Sequence, residues 1–317
     1  MPPRKRQKTR LVAWPGRDAA PLYERFAPRT AKDLRVYPKT VERVRAWLRR
    51  ATGLSPSHGP EARLLILAGP AGVGKSAALD VLCREEQLAQ VTWRDTYGMG
   101  GDGFGFERRP SDFDEPLYES QLDAWTRFVR SARYKPLASQ RPAVFVLDDV
   151  PTQEGYDDGT STSRKAFRGV LEEVCRSQNR SPCILIISGE ISEKSDIRIV
   201  AERFVGEVVI SSPHAELVAF LPVTEKKLRK LLDEVCEGAS WPRSSSVAPE
   251  TLDALAVAAQ GDVRKCLSTL EIALRGGTRD PASVHRSDAG VSDVHAVRRI
   301  CGGGIHTVSV NHLTRGR

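Results

Sequence analysis

The sequence contains no uninterrupted apolar run approaching the ~18 residues that a bilayer-crossing helix requires, which sets membrane channels aside. It has no C-x-x-C pair. Its cysteines, at 83, 175, 183, 236, 266 and 301, are scattered among helical and strand-like stretches, so neither a zinc ribbon nor a disulfide framework is expected, and a reducing compartment fits. The first ten residues lack the apolar stretch of a secretory signal and contain no acidic residue. What is present is 40% hydrophobic and 28% charged residues, with a mean hydropathy of −0.35, the composition of a soluble globular protein. A length of 317 residues leaves room for roughly two domains of ordinary size.

The net charge of +8 is unevenly spread. Residues 1–50 hold 15 Lys and Arg against 4 Asp and Glu, residues 51–275 hold 27 against 33, and residues 276–317 hold 6 against 3. Residues 1–20 carry Arg4, Lys5, Arg6, Lys8 and Arg10 and read as a basic disordered arm, suited to nuclear import or to contact with phosphates. Within a segment at 21–58, Val41, Val44, Trp47, Leu48 and Ala51 recur at spacings of three and four after Thr40, which predicts a basic amphipathic helix with Thr40 as its N-cap.

Between 59 and 212 the pattern alternates between strands and helices. Apolar runs at 64–68, 91–93, 143–147, 183–187 and 208–210 read as strands, separated by helices near 75–87, 122–129, 164–177 and 193–203. Such alternation predicts an α/β fold, a parallel sheet flanked by helices. From 213 to 275 the pattern turns purely helical, with candidates at 224–237, 249–259 and 262–275, a small all-α domain. Residues 276–317 show no sustained period and are expected to be a disordered tail.

The chemistry concentrates in Gly69-Pro70-Ala71-Gly72-Val73-Gly74-Lys75-Ser76, which fits G-x-x-x-x-G-K-S/T directly after an apolar strand and directly before a helix. Glycine permits a loop whose backbone N–H groups all point inward at phosphate oxygens, and the helix N-terminus adds a favourable dipole. Lys75 is the candidate for the β- and γ-phosphates and Ser76 for Mg²⁺. The strand 143–147 ends in Asp148 and Asp149. A carboxylate there holds the metal and orients water, so Asp148 is the candidate metal-side acid and Asp149 the candidate base. Asp149 is one methylene shorter than glutamate, and slow hydrolysis is expected.

With these parts in place the chain resembles AAA+ P-loop ATPases of the clamp-loader group, and more closely the large subunit of the DNA-damage checkpoint clamp loader, the Rad-seventeen family. Leu22-Tyr23-Glu24-Arg25-Phe26-Ala27-Pro28-Arg29-Thr30 is similar to the W-x-x-K-Y-x-P-x-T opening of clamp loaders. Residues 118–122 through 133–137 look like a helix that this family places between its two nucleotide motifs, and Asp148-Asp149-Val150-Pro151 resembles its E-D-L-P. Ser188, at the end of the strand 183–187, takes the place of sensor 1, and Gly261-Asp262-Val263-Arg264 is similar to the G-D-I/V-R that opens the last lid helix. The resemblance implies that Tyr23, Arg25 and Pro28 lie around the adenine and that Ser188 and Arg264 approach the γ-phosphate, with Asp262 capping the lid helix.

It further implies an ATP- and Mg²⁺-binding nuclear protein that assembles with small replication factor C subunits. Such a protein places the heterotrimeric checkpoint clamp at primer-template junctions on chromatin through phosphate contacts to DNA, in the DNA-damage checkpoint and DNA repair. Arg43, Arg45, Arg49 and Arg50 are candidates for those contacts. No membrane partner is expected. Two departures stand out: the S-R-C arginine-finger sequence is missing after Ser188, and the helical collar of the family is replaced by residues 276–317, so the chain reads as truncated after the lid. The alternatives are a nucleotide-binding scaffold with negligible hydrolysis and a truncated form that does not assemble. A small-molecule P-loop kinase is disfavoured, because the second domain is a C-terminal lid and not an acceptor-binding insertion.

Overall fold

Five segments line up as parallel strands; the three central ones are apolar on both faces and covered from both sides, and the two edge strands are only partly buried. A computed structural model describes residues 20–55, 63–93, 121–132, 141–148, 162–177, 181–189, 197–238 and 247–276. The strands are β1 (Leu64–Gly69), β2 (Ala89–Thr92), β3 (Ala143–Leu147), β4 (Cys183–Ser188) and β5 (Ala215–Ala219), in the order β2-β3-β4-β1-β5. Every pairing is parallel.

Alternate residues of these strands feed two separate cores. Leu64, Ile66, Phe145 and Leu185 face one side, under α4 (Gln121–Ser131), α5 (Thr162–Arg176), α6 (Ile197–Val205) and α7 (Glu207–Ile210). Leu65, Leu67, Val144, Ile184 and Phe220 face the other, under α2 (Pro38–Ala51) and α3 (Lys75–Glu85). The period of two thus builds a three-layer sandwich. Trp47 and Trp125, fully buried, anchor the two helical layers.

A third core belongs to the lid, formed by α8 (Glu225–Gly238), α9 (Pro249–Ala258) and α10 (Val263–Gly276) around Leu228, Leu232, Val235, Leu255, Leu267 and Leu270. Leu22, on the short helix α1 (Leu22–Arg25), is fully buried in that same core. The segment 21–58 is therefore not one unit: its first part packs on the lid, and α2 packs on the sheet.

Three details differ from the sequence expectation. Residues 208–210 are helical, not a strand, because Gly206 starts a turn of helix that buries Val209 and leaves Val208 exposed. The fifth strand lies instead at Ala215–Ala219, so the α/β part runs past 212; the sequence AELVA has the composition of a helix former, and only its pairing with β1 makes it a strand. Thr40 is not a cap: Pro38 takes the first helical position, where its missing N–H costs nothing, and Tyr37 precedes it. Residues 1–19, the stretches at 118–120 and 133–137, Asp149 to Pro151, and the tail from 277 onward lie outside the described residues.

The charged face of α2 is tied down. Arg45 pairs with Glu85 at 2.6 Å and Glu86 at 2.8 Å, Arg49 pairs with Glu86 at 2.8 Å, and Arg43 and Arg50 both reach Glu216 at 2.7 Å. Arginine hydrogen bonds hold the Glu86 carboxyl below its ordinary value of 4.5. A lowered carboxylate adds stability above the unfolded pKa and loses it as pH falls through the folded one. Glu86→Gln should accordingly lower stability by about 1 kcal/mol at neutral pH. That deficit should shrink towards zero in acid, as read by denaturant melts at several pH values.

Candidate functional site

The C-terminal end of β1 delivers the chain into the Gly69–Gly74 loop, and α3 starts at Lys75. Gly72 (φ +66°) and Gly74 (φ +98°) both take the left-handed conformation, which an L side chain resists, and Gly74 is the residue that caps α3. Lys75 is 5% exposed, and its ammonium donates to the carbonyls of Gly69 (2.9 Å) and Pro70 (2.7 Å). Burial pushes it down to about 8, against the opposing pull of Asp148 and Asp262, while Arg264 lowers it further. A buried ammonium whose hydrogen bonds go to carbonyls, at a helix N-terminus beneath a glycine-rich loop, fits a polyphosphate, which would bring negative charge into direct contact with it.

The two candidate metal ligands also meet. The Ser76 hydroxyl donates to Asp148 Oδ2 at 3.0 Å, although the two are far apart in sequence. Asp148 follows β3, and between β3 and β1 lies β4, whose last residue, Ser188, stands in register with Gly69. Hydroxyl and carboxylate oxygens are the hard donors that suit Mg²⁺, which takes few protein ligands and keeps waters and phosphates for the rest. Ser188 is exposed at this strand end.

The lid meets the loop directly. Asp262 caps α10, its Oδ1 accepting the Lys265 N–H at 2.8 Å. The Val263 N–H donates to the Gly72 carbonyl at 3.0 Å, and a Cβ built on Gly72 would lie 1.8 Å from Asp262 Oδ1. Arg264 sits exposed in the first turn of α10, close enough to act on the Lys75 charge. The docking of Val263 on the loop has no mark in the sequence beyond the glycine at 72, because a backbone-to-backbone bond carries no side-chain signature.

The opening segment runs from the lid to the loop. Tyr23 and Arg25 are exposed on α1, and Pro28 is half-buried behind them. What the segment brings near the loop is Val36: it is 6% exposed, shares a core with Val73, and its Cγ2 would lie 3.4 Å from a Cβ on Gly74. The stretch is further held by Ala31, whose N–H donates to Glu85 Oε1 at 2.8 Å, and by Asp33, whose carboxylate accepts the N–H groups of Arg29 and Thr30. Arg45 and Arg49 are paired with Glu85 and Glu86, and Arg43 and Arg50 share Glu216, so DNA phosphates would have to compete with these carboxylates for them.

A glycine loop between the P-loop strand and its helix, a hydroxyl–carboxylate pair beside it, and a helical lid bonded to the loop define an AAA+ nucleotide-binding protein of the P-loop class. The chain belongs to the Rad17 family: the profile of the Rad17 P-loop domain matches residues 17–198. It is 24% identical over 274 residues to human cell cycle checkpoint protein RAD17, covering 81% of this chain and 38% of that one. It is 20% identical over 275 residues to checkpoint protein rad17 of Schizosaccharomyces pombe, covering 80% and 42%. The replication factor C large subunit of Thermococcus kodakarensis is 24% identical over 267 residues, covering 83% and 42%. The chain therefore spans about two fifths of the length of these relatives. Among solved structures, the Aeropyrum pernix ORC1 protein in complex with DNA superposes with a TM-score of 0.49 at 17% identity, over 89% of this chain and 69% of that one. Among the described residues no helix is long and apolar enough to cross a membrane.

Proposed function

We propose that this chain is the nucleotide-switched ATPase part of a checkpoint clamp loader, in which ATP and Mg²⁺ at the P-loop decide the position of the lid. The observation that carries this reading is the bond from the Val263 N–H to the Gly72 carbonyl, because it makes the loop that surrounds phosphate also the seat of the lid. When bound, the magnesium nucleotide supplies phosphate charge to the loop amides and a Lewis acid to the reacting phosphoryl group. Lys75 would give up its two carbonyl partners for phosphate oxygens, and the Ser76–Asp148 pair would open to hold the cation. Ser188, from the sheet, and Arg264, from the lid, would detect the terminal phosphate, with Asp149 as the base. Tyr23, Arg25 and Pro28 would line the adenine side.

In this reading the lid transmits nucleotide occupancy to neighbouring small replication factor C subunits, and the assembly opens the heterotrimeric checkpoint clamp and sets it on DNA in the nucleus. The likeness in sequence to both RAD17 and replication factor C large subunits supports it. The chain should co-purify with small replication factor C subunits in an ATP-dependent way. Failure with and without ATP would refute assembly by this chain. Asp148→Asn should cut the Mg²⁺-dependent gain in ATP affinity by about tenfold, a loss typical of one charged ligand, while leaving Mg²⁺-free binding unchanged. Titration of a fluorescent ATP analogue with and without EDTA measures both.

A further inference from the structure

The segment before α2 touches the P-loop with one side chain and the lid with its backbone. Val36 lies over Gly74 in the core that contains Val73. On the lid side, Lys227 of α8 donates from Nζ to the carbonyls of Arg35 (3.0 Å) and Val36 (3.4 Å), and its ammonium lies 5.5 Å from the centroid of the Tyr37 ring. Arg35 also pairs with Glu234, two turns further along α8. At the far end of the segment, the Leu22 N–H donates to Glu271 Oε2 at 3.0 Å, a carboxylate on α10 that is itself buried. Residues 22–37 thus form a strap fastened to the lid at both ends, and the strap rests on the phosphate loop near the second.

Resting on the nucleotide-switch reading above, we propose that Lys227 is a positioning residue that couples occupancy of the P-loop to the lid by gripping the carbonyls of Arg35 and Val36. The chemistry suits this role. A carbonyl pair at the end of a strap offers two acceptors, and an ammonium on a long flexible stem satisfies both without demanding a fixed plane, so the grip tolerates small sliding of the lid. The aromatic face of Tyr37 adds a third favourable contact for the same charge. Val36 belongs to the same close-packed core as Val73 and lies against Gly74, so a displacement of the loop there is felt at Val36. Any change at the loop that moves Val36 therefore moves the acceptors that Lys227 holds. Arg35 Nε, in the same seam, is buried with no acceptor among the described residues.

The test is ATP-analogue binding together with thermal melts of the chain, with and without Mg²⁺ and ATP, for the wild type, Lys227→Met and Lys227→Arg. Methionine keeps the apolar stem and removes the grip. The Met variant should bind the analogue about tenfold more weakly, the effect of losing a pre-organised charged contact. Its melting temperature without nucleotide should change by under about 2 °C, and its ATP-induced rise should shrink. Arg, which keeps the charge and the donors, should recover most of the affinity. A Met variant that binds like the wild type overturns the inference while leaving the nucleotide reading standing. An equal fall in melting temperature with and without ATP also overturns it, since that is the mark of a purely structural contact. A wild-type chain that binds no ATP overturns both.

Discussion

Lys75→Glu should abolish nucleotide binding while leaving the fold intact. The wild-type ammonium is 5% exposed and makes two charged hydrogen bonds to the loop carbonyls, at 2.9 and 2.7 Å. Phosphate oxygens are better acceptors for the same ammonium, because they supply the charge that burial denies it. Two charged bonds at about 1.5 kcal/mol each correspond to roughly a hundredfold in affinity, and placing a carboxylate beside the phosphates adds repulsion on top of that loss. The introduced carboxylate is itself buried beside two loop carbonyls and near Asp148 and Asp262, so the melting temperature without nucleotide should fall by a few degrees while a cooperative melt persists. Fluorescence titration with an ATP analogue and a thermal melt check the two halves. Retained binding within tenfold of the wild type would mean that Lys75 does not face the phosphates.

Gly72→Ala should disconnect the lid from the loop. The residue has φ +66°, where an alanine costs about 1–2 kcal/mol, and its Cβ would lie 1.8 Å from Asp262 Oδ1. Backbone strain alone would weaken binding by roughly tenfold, and displacement of Asp262 would break the Val263-to-Gly72 bond as well. The two causes separate in a double-mutant cycle. Asp262→Ala alone removes the α10 cap, worth about 1 kcal/mol, but in the Gly72→Ala background it makes room for the new methyl group. The double variant should therefore bind nucleotide better than the sum of the single effects predicts. Strict additivity would show that the lid does not bear on Gly72.

Much of this site was legible because its parts have local signatures. The glycine loop, the lysine and the serine are contiguous, and Asp148 is marked by the apolar run that ends at Leu147. Asp262 was legible as a cap, since an Asp three residues before Lys265 at the start of a periodic run has a known bonding pattern. The sheet was legible as parallel, but its edge was not: Ala215–Ala219 is a strand only because β1 offers an open ladder beside it, and tertiary pairing overrides the helical preference of Ala, Glu and Leu. The strap was hidden for a related reason. Leu22 is one of several apolar residues between Ala19 and Ala27, and nothing local indicates that its N–H meets Glu271, on the last lid helix. The arginines of α2 show the converse case: their partners Glu85, Glu86 and Glu216 lie in other parts of the chain, and no local pattern reveals the pairing.

The central claim is that nucleotide at the P-loop governs the lid, and amide hydrogen exchange tests it most directly. With Mg²⁺ and ATP, exchange should slow both in the loop and first turn of α3, residues 72–78, and in the first turn of α10, residues 263–266. Slowing confined to the loop, with the lid amides unchanged, would contradict the account; so would no slowing at all.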